Sequence, residues 1–366
     1  MNINIEYSEN KTYPKFFKKV EGKNIAVICD VNTEPYAENI INKLSKITKS
    51  VTKKVFPDKT LIPDENACNE ALKTASNNDY LLAVGSGTLN DIAKDVSTML
   101  KIPCGVLATA PSMDGYASKG AALMKGEYKI TDDVNAPEDI LIDTDIICSA
   151  PKIMIAAGVG DILGKFTCLT DWKLSTYLTN ESYNEKAADL MKKAVEECYI
   201  NIEGIILNKA ESVAKLMDAL ITAGLSMAMC GNSRPASGSE HHMSHFLEMD
   251  FIKKGGVMPL HGIKVGIATL ISLELYNYLL RENVKFYNCE RVYDLVKELP
   301  KIEKIKDILI RLNCPVRMSD IGVTKDVMIE MIDKAYLVRD RFTILTLIHN
   351  LNLSNKIKPL IMDKYF

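Results

Sequence analysis

Along the first 150 residues, short apolar runs alternate with stretches whose apolar positions recur at helical spacing. Residues 24–29 (Asn-Ile-Ala-Val-Ile-Cys) form a continuous run ending at Asp30, the pattern of a strand covered on both faces. Residues 35–48 then place Ala37, Ile40, Ile41, Leu44 and Ile47 on one face of a helix. Strand-like runs return at 51–56, 79–84 and 104–108, with helical patterns at 66–76 and through Ile92, Val96, Met99 and Leu100. This alternation predicts an α/β domain with a parallel, doubly wound, Rossmann-like sheet. Ligands of such sheets bind outside the carboxyl ends of the strands.

After Ser149-Ala150-Pro151 the strand-like runs stop. Residues 161–178, 184–199, 208–230, 259–280, 325–340 and 342–351 all carry apolar positions at helical spacing, which predicts an all-helical second part. We therefore expect two domains, 1–150 and 151–366, as a chain of this length favours, with the chemistry in the cleft between them. Composition removes several classes of partner. A formal net charge of -2 offers no field for nucleic acid or an anionic membrane. The most apolar window, 216–230, carries Asp218 and reads as a buried helix, so no membrane span is expected. The start lacks a basic flank and an apolar core, so no secretory signal is expected either. Nine cysteines without a C-x-x-C pair predict reduced thiols in a cytoplasmic setting.

Four segments carry candidate chemistry. Gly85-Ser86-Gly87-Thr88-Leu89-Asn90-Asp91 joins a strand to a helix, where glycines admit a phosphate and the helix start supplies free N–H groups. Asn90 stands where a third fingerprint glycine would be, so a standard dinucleotide motif is not met. Thr109-Ala110-Pro111-Ser112-Met113-Asp114-Gly115 ends the next strand at the same edge, with hydroxyls and a carboxylate. Gly158-Val159-Gly160-Asp161 is expected to open the first helix of the second part, with Asp161 suited to cap it. The fourth segment, Ser237 to His245 (S-G-S-E-H-H-M-S-H), holds three of the chain's five histidines, and His261 follows after Lys254-Gly255-Gly256-Val257. On a helix, His241 and His245 share a face and His242 points about 100° away. Two or three histidines plus Asp161, with no cysteine, fit a divalent ion with an open coordination position. Zinc is the first choice, iron or nickel the alternatives. Arg234 precedes this segment and could clamp an anion; His349 and Trp172 read as structural.

In this order the segments G-S-G-T-L-N-D, T-A-P-S-M-D-G-Y-A-S, G-V-G-D, S-R-P-A-S-G-S-E-H-H-M-S-H and L-H-G-I-K-V-G-I closely resemble the sn-glycerol-1-phosphate dehydrogenases. These belong to the iron-containing alcohol dehydrogenase, glycerol dehydrogenase and dehydroquinate synthase superfamily. The resemblance runs from around residue 24 to residue 280 and implies a dehydroquinate synthase-like fold. It further implies NAD- or NADP-dependent interconversion of dihydroxyacetone phosphate and sn-glycerol 1-phosphate. By similarity, Gly85, Ser86, Gly87, Thr88, Leu89, Asn90 and Asp91 would hold the cofactor, with Gly87 to Asp91 at its pyrophosphate. Thr109, Ala110, Pro111, Ser112 and Ser118 would complete that site, with Asp30 near the adenosine ribose. Asp161, His241 and His261 would bind the metal. Asp114 and His245 would contact substrate, His245 as proton relay. Arg234, Lys165 and Lys264 are the candidates for the substrate phosphate, and a homodimer or higher homo-oligomer is expected. The alternatives are a glycerol dehydrogenase of unphosphorylated substrates, a dehydroquinate synthase-like lyase, and a non-redox metal hydrolase.

Overall fold

The computed structural model describes residues 3–126, 128–255 and 258–366. Its strands are β1 (Asn4–Tyr7), β2 (Asn24–Asp30), β3 (Ser50–Phe56), β4 (Tyr80–Gly85), β5 (Cys104–Ala108), β6 (Gly120–Lys125), β7 (Tyr128–Asp133) and β8 (Asp139–Ile142). Six of them form one sheet in the order β1-β8-β5-β4-β2-β3, and every pairing is parallel. The two central strands, β4 and β5, are buried along their whole length, which is why they read as unbroken apolar runs. Helices α1 (Pro14–Val20) and α2 (Glu34–Leu44) cover one face. Helices α3 (Glu65–Ala75) and α4 (Gly87–Leu100) cover the other. The winding reverses between β2 and β4. A crevice opens at such a point at the carboxyl ends of the strands, here at Asp30 and Gly85.

The chain then continues as helices: α5 (Thr144–Cys148), α6 (Lys152–Leu163), α7 (Lys165–Thr179), α8 (Glu185–Ile200), α9 (Ile202–Ile206), α10 (Ala210–Cys230), α11 (Ser239–Lys254) and α12 (His261–Arg281). The tail adds α13 (Cys289–Glu298), α14 (Ile302–Arg311), α15 (Lys325–Lys334), α16 (Ile344–Asn350) and α17 (Ser354–Tyr365). Their apolar faces share one core, centred on α6, α10 and α12. This is an α/β part with a parallel sheet followed by an all-helical part.

Four differences from the sequence reading have physical causes. The edge strand β1 and its neighbour β8 are only four residues each, too short for a period to register. The antiparallel hairpin β6–β7 was also not anticipated; it packs on α4, where Asp91 accepts from the Ala122 amide at 3.2 Å. Asp161 does not open a helix. It sits near the end of α6, because Gly158 and Gly160, which look like a loop, lie inside the helix at close backbone approaches. Finally, Lys152–Thr179, Ala210–Cys230 and His261–Arg281 are each long and apolar enough to cross a membrane, contrary to the expectation that no run is. Of their most apolar windows, 78%, 50% and 83% are buried inside the protein, as expected of helices that are apolar nearly all round and supply a core.

Candidate functional site

Gly85 ends β4, Ser86 leads into α4, and Gly87 begins that helix, one turn earlier than the apolar pattern suggested. The Ser86 side chain caps none of the first N–H groups, which therefore point, with the positive end of the helix, at the sheet edge. The loop after β5 lies against this turn. The Thr109 amide donates to the Gly85 carbonyl at 3.1 Å, and a side chain at Gly87 would press on Met113. Gly85, Ser86, Gly87 and Thr88 thus adjoin Thr109, Ala110, Pro111 and Ser112, with Asp30 at the end of the neighbouring strand. The Asp30 carboxylate accepts from the amides of Asn32 and Thr33 at 2.8 and 2.9 Å, which fixes the turn that carries it.

Four residues of the cofactor set are engaged within the protein. Leu89 is buried in the sheet core. Asp91 is in the second turn of α4, paired with the buried Lys94 at 2.8 Å. The Ser118 hydroxyl donates to the carbonyls of Gly115 and Gly120 and shapes the loop from inside. Asn90, also buried, reaches the Gly115 carbonyl at 3.4 Å.

The second cluster draws on three helices. Asp161 comes from α6, His241 and His245 from one face of α11, and His261 is the first residue of α12. Asp161, His241 and His261 each offer a donor atom, all within 4.8 Å of one another. Both imidazoles are turned by carboxylates. His241 Nδ1 lies 2.8 Å from Glu240 Oε1, and its Nε2 faces Asp161 Oδ1 at 3.6 Å. His261 Nδ1 lies 3.1 Å from Glu248 Oε1. With each Nδ1–H given to a carboxylate, each Nε2 keeps its lone pair, the arrangement that presents histidine to a metal. One carboxylate and two such imidazoles fit a divalent cation with coordination positions left open. His242 is fully buried and both its ring nitrogens lack a partner among the described residues, so it is outside this donor set.

Glu248 is the hub. It accepts from His245 at 3.0 Å and His261 at 3.1 Å, and pairs with Lys129 of β7 at 3.1 Å and Lys264 at 3.4 Å. Burial opposes its charge, yet Lys129 and the two histidines hold its carboxyl well below the usual range. Burial likewise opposes the Asp161 charge, and Lys165 with the histidines overcomes it, so Asp161 stays ionised. Lys165 makes three contacts: Asp114 at 2.6 Å, Asp161 at 2.8 Å and the Ala236 carbonyl at 2.9 Å. The Asp114 amide donates to Asp161 Oδ2 at 3.0 Å, which brings the sheet-edge loop to the histidine cluster. Burial pushes the His245 imidazole down to about 3, so it is neutral, and its Nε2 accepts from Arg339 at 3.1 Å.

The three cations expected at a phosphate are otherwise engaged. Arg234 is buried in a two-bond pair with Glu181, at 3.0 and 2.8 Å, and also donates to the Phe342 carbonyl, so it does not line the site. The three acceptors around Lys165 leave its ammonium no bond to offer. Lys264 donates to the Pro259 carbonyl at 2.5 Å, and burial pushes it down to about 8. Of the linker before His261, Gly255 takes a left-handed turn after α11; Gly256 and Val257 lie outside the described residues. The sequence reading missed Glu240, Glu248, Lys129, Arg339 and Arg341. For Glu248 a signal existed, since it follows His245 by three residues, one helical turn. Glu240 directly precedes His241 in the chain, whereas Lys129, Arg339 and Arg341 come from distant segments that only the fold brings near.

The iron-containing alcohol dehydrogenase family matches residues 4–151. Glycerol-1-phosphate dehydrogenase (NAD(P)+) of Halalkalibacterium halodurans is 32% identical over 350 residues, covering 91% of this chain and 88% of that protein. The chain belongs to the glycerol-1-phosphate dehydrogenase family. The enzyme of the same name from Bacillus licheniformis is 34% identical over 346 residues, covering 93% of this chain and 86% of the relative. This family member shares its fold with the solved glycerol dehydrogenase of Schizosaccharomyces pombe, with a TM-score of 0.72 at 18% identity over 99% of this chain and 91% of the other. The parallel sheet and helical part are therefore a dehydroquinate synthase-like architecture.

Proposed function

We propose that this chain reversibly reduces dihydroxyacetone phosphate to sn-glycerol 1-phosphate with NADH or NADPH. The observation that carries the reading is the bond from the Asp114 amide to Asp161, which joins the strand-end loops to a three-residue donor cluster. Residues 1–150 would bind the dinucleotide and 151–366 the metal and substrate. The first turn of α4 and the loop from Thr109 to Ser112 hold the cofactor phosphates, and Asp30 lies at the ribose side. Asp161, His241 and His261 hold one divalent cation, zinc first, with iron or nickel as alternatives. When bound, that cation polarises the C2 oxygen and lowers the pKa of the product hydroxyl. The remaining steps belong to the chain. When bound, the nicotinamide would supply the hydride, and the two loops would hold it beside the substrate. His245, held at Nδ1 by Glu248, is the proton relay to the substrate oxygen, and Asp114 orients the substrate hydroxyls. Nine free thiols support a cytoplasmic location, and a homodimer is the assembly we propose.

Cofactor absorbance, followed with dihydroxyacetone phosphate and with free dihydroxyacetone, tests this reading. Protein stripped by chelator and resupplied with zinc, iron or nickel is expected to oxidise NAD(P)H with the phosphate ester, and chiral analysis of the product should give the 1-phosphate. Turnover confined to the free ketone would make the protein a glycerol dehydrogenase, and no oxidation under any metal would overturn the redox reading. Glu240 supplies a second test. Glu240→Gln keeps its shape but weakens the hold on His241 Nδ1, and is expected to lower metal affinity about 10- to 100-fold with the fold intact. Chelator competition with circular dichroism would check it; unchanged affinity would mean that Glu240 only packs.

A further inference from the structure

The segment between α15 and α16 carries two arginines with no counter-ion among the described residues. Arg339 donates from Nη1 to Ser233 Oγ at 2.9 Å and from Nη2 to His245 Nε2 at 3.1 Å. Arg341 donates from Nη2 to the same Ser233 oxygen at 3.0 Å and from Nη1 to the Ser237 carbonyl at 3.4 Å. Two guanidinium groups thus share one hydroxyl, and among the described residues no carboxylate lies within ion-pair distance of either. Arg234, Arg281 and Arg311 each have such a partner. The pair is partly buried, and that burial lowers both guanidinium pKa values, Arg341 to about 10 with Arg339 adding repulsion. Glu248 and Asp114 act on Arg339 only from a distance. Nearby, His242 and the Ser237 hydroxyl are buried without a hydrogen-bond partner among the described residues, and His242 feels both arginines. Like charges held together in a partly desolvated place are unfavourable unless an anion joins them.

We propose that Arg339 and Arg341, with Ser233 beneath them, seat the phosphate of the substrate. The inference rests on the reaction proposed above and names what in this chain would select a phosphate monoester over a free triose. Geometry supports it. Arg339 touches His245, whose ring centroid lies 6.2 and 5.8 Å from those of His241 and His261. An anion on the arginines is therefore one imidazole away from the donor cluster, a gap that a three-carbon phosphoester spans. A forked guanidinium suits a phosphate with two parallel bonds, which a lysine cannot reproduce.

The test pairs kinetics with a readout independent of turnover. In metal-loaded native protein, inorganic phosphate is expected to raise Tm and to compete with dihydroxyacetone phosphate. In Arg339→Met and Arg341→Met the Tm response should vanish, and KM for the phosphate ester should rise about tenfold or more, the loss of one charged hydrogen bond, while KM for NAD(P)H holds. The preference for phosphorylated over free ketone, as a ratio of kcat/KM, should fall by the same factor. Arg339→Lys and Arg341→Lys guard against misfolding and should recover part of that loss. Raised KM for NADPH with unchanged KM for the ester would assign the pair to the cofactor and overturn the proposal, as would unchanged kinetics and Tm response. Native protein inert toward dihydroxyacetone phosphate would instead overturn the reaction; phosphate stabilisation lost in the variants would then still uphold an anion seat.

Discussion

Replacing His261 with alanine is expected to cut turnover by about a thousandfold or more and to release the bound metal. The magnitude follows from several kcal/mol of transition-state stabilisation supplied by a Lewis-acidic cation, at about 1.4 kcal/mol per tenfold in rate. His261 is one of three donors within 4.8 Å, and with it gone only Asp161 and His241 remain. The loss also leaves Glu248 without one of its donors, although His245, Lys129 and Lys264 still satisfy that carboxylate. The fold should therefore survive, which circular dichroism would verify. His242→Ala makes the sharper control: its ring faces no member of the donor set, so metal should be retained. Elemental analysis of the purified His261→Ala, His242→Ala and His241→Ala variants decides the matter. Stoichiometric metal in His261→Ala, or loss of metal in His242→Ala but not His241→Ala, would reassign the ligands.

Much of the sheet was legible in the chain because parallel strands buried on both faces leave runs such as 79–84 and 104–108 that nothing else explains. Less of the helical part was. The glycines at 158 and 160 argue locally for a turn, and only the packing of α6 against Pro111 and α12 turns them into helix. Spacing paired His241 with His245 on one face of α11, but it said nothing of Glu248 tying His245 to His261, since that link spans two helices. The arginines posed the harder problem. Arg234 stands next to the histidine segment, and proximity in sequence makes it one of three candidates; its pairing with Glu181 takes it out of the site. Arg339 and Arg341, about a hundred residues further on, come back to Ser233 through a turn with no sequence signature. Charge is readable in a sequence, but the partner that neutralises it is not.

Gly262→Val is expected to destabilise the protein by about 3 kcal/mol or more, at the upper end of overpacking costs, and to loosen metal binding as well. The reason lies in how α6 meets α12. A Cβ on Gly262 would overlap the backbone carbonyl of Ala157, and one on Gly160 would overlap the carbonyl of Gly262. One on Gly266 would lie 3.3 Å from the Gly160 Cα. The helices thus touch backbone to backbone, and no rotamer change relieves a side chain placed there. Asp161 follows Gly160 and His261 precedes Gly262, so the spacing of the two helices is also the spacing of two of the proposed ligands. Such a constellation tolerates only about half an ångström of error before affinity falls. Urea unfolding with the slope held constant measures the first effect, and chelator competition on the folded fraction measures the second. Gly262→Ala should show both in smaller degree. A valine variant with an unchanged midpoint would mean that the helices part at no cost. One that is destabilised yet binds metal with native affinity would mean that the donor cluster is set by the loops rather than by this helix contact.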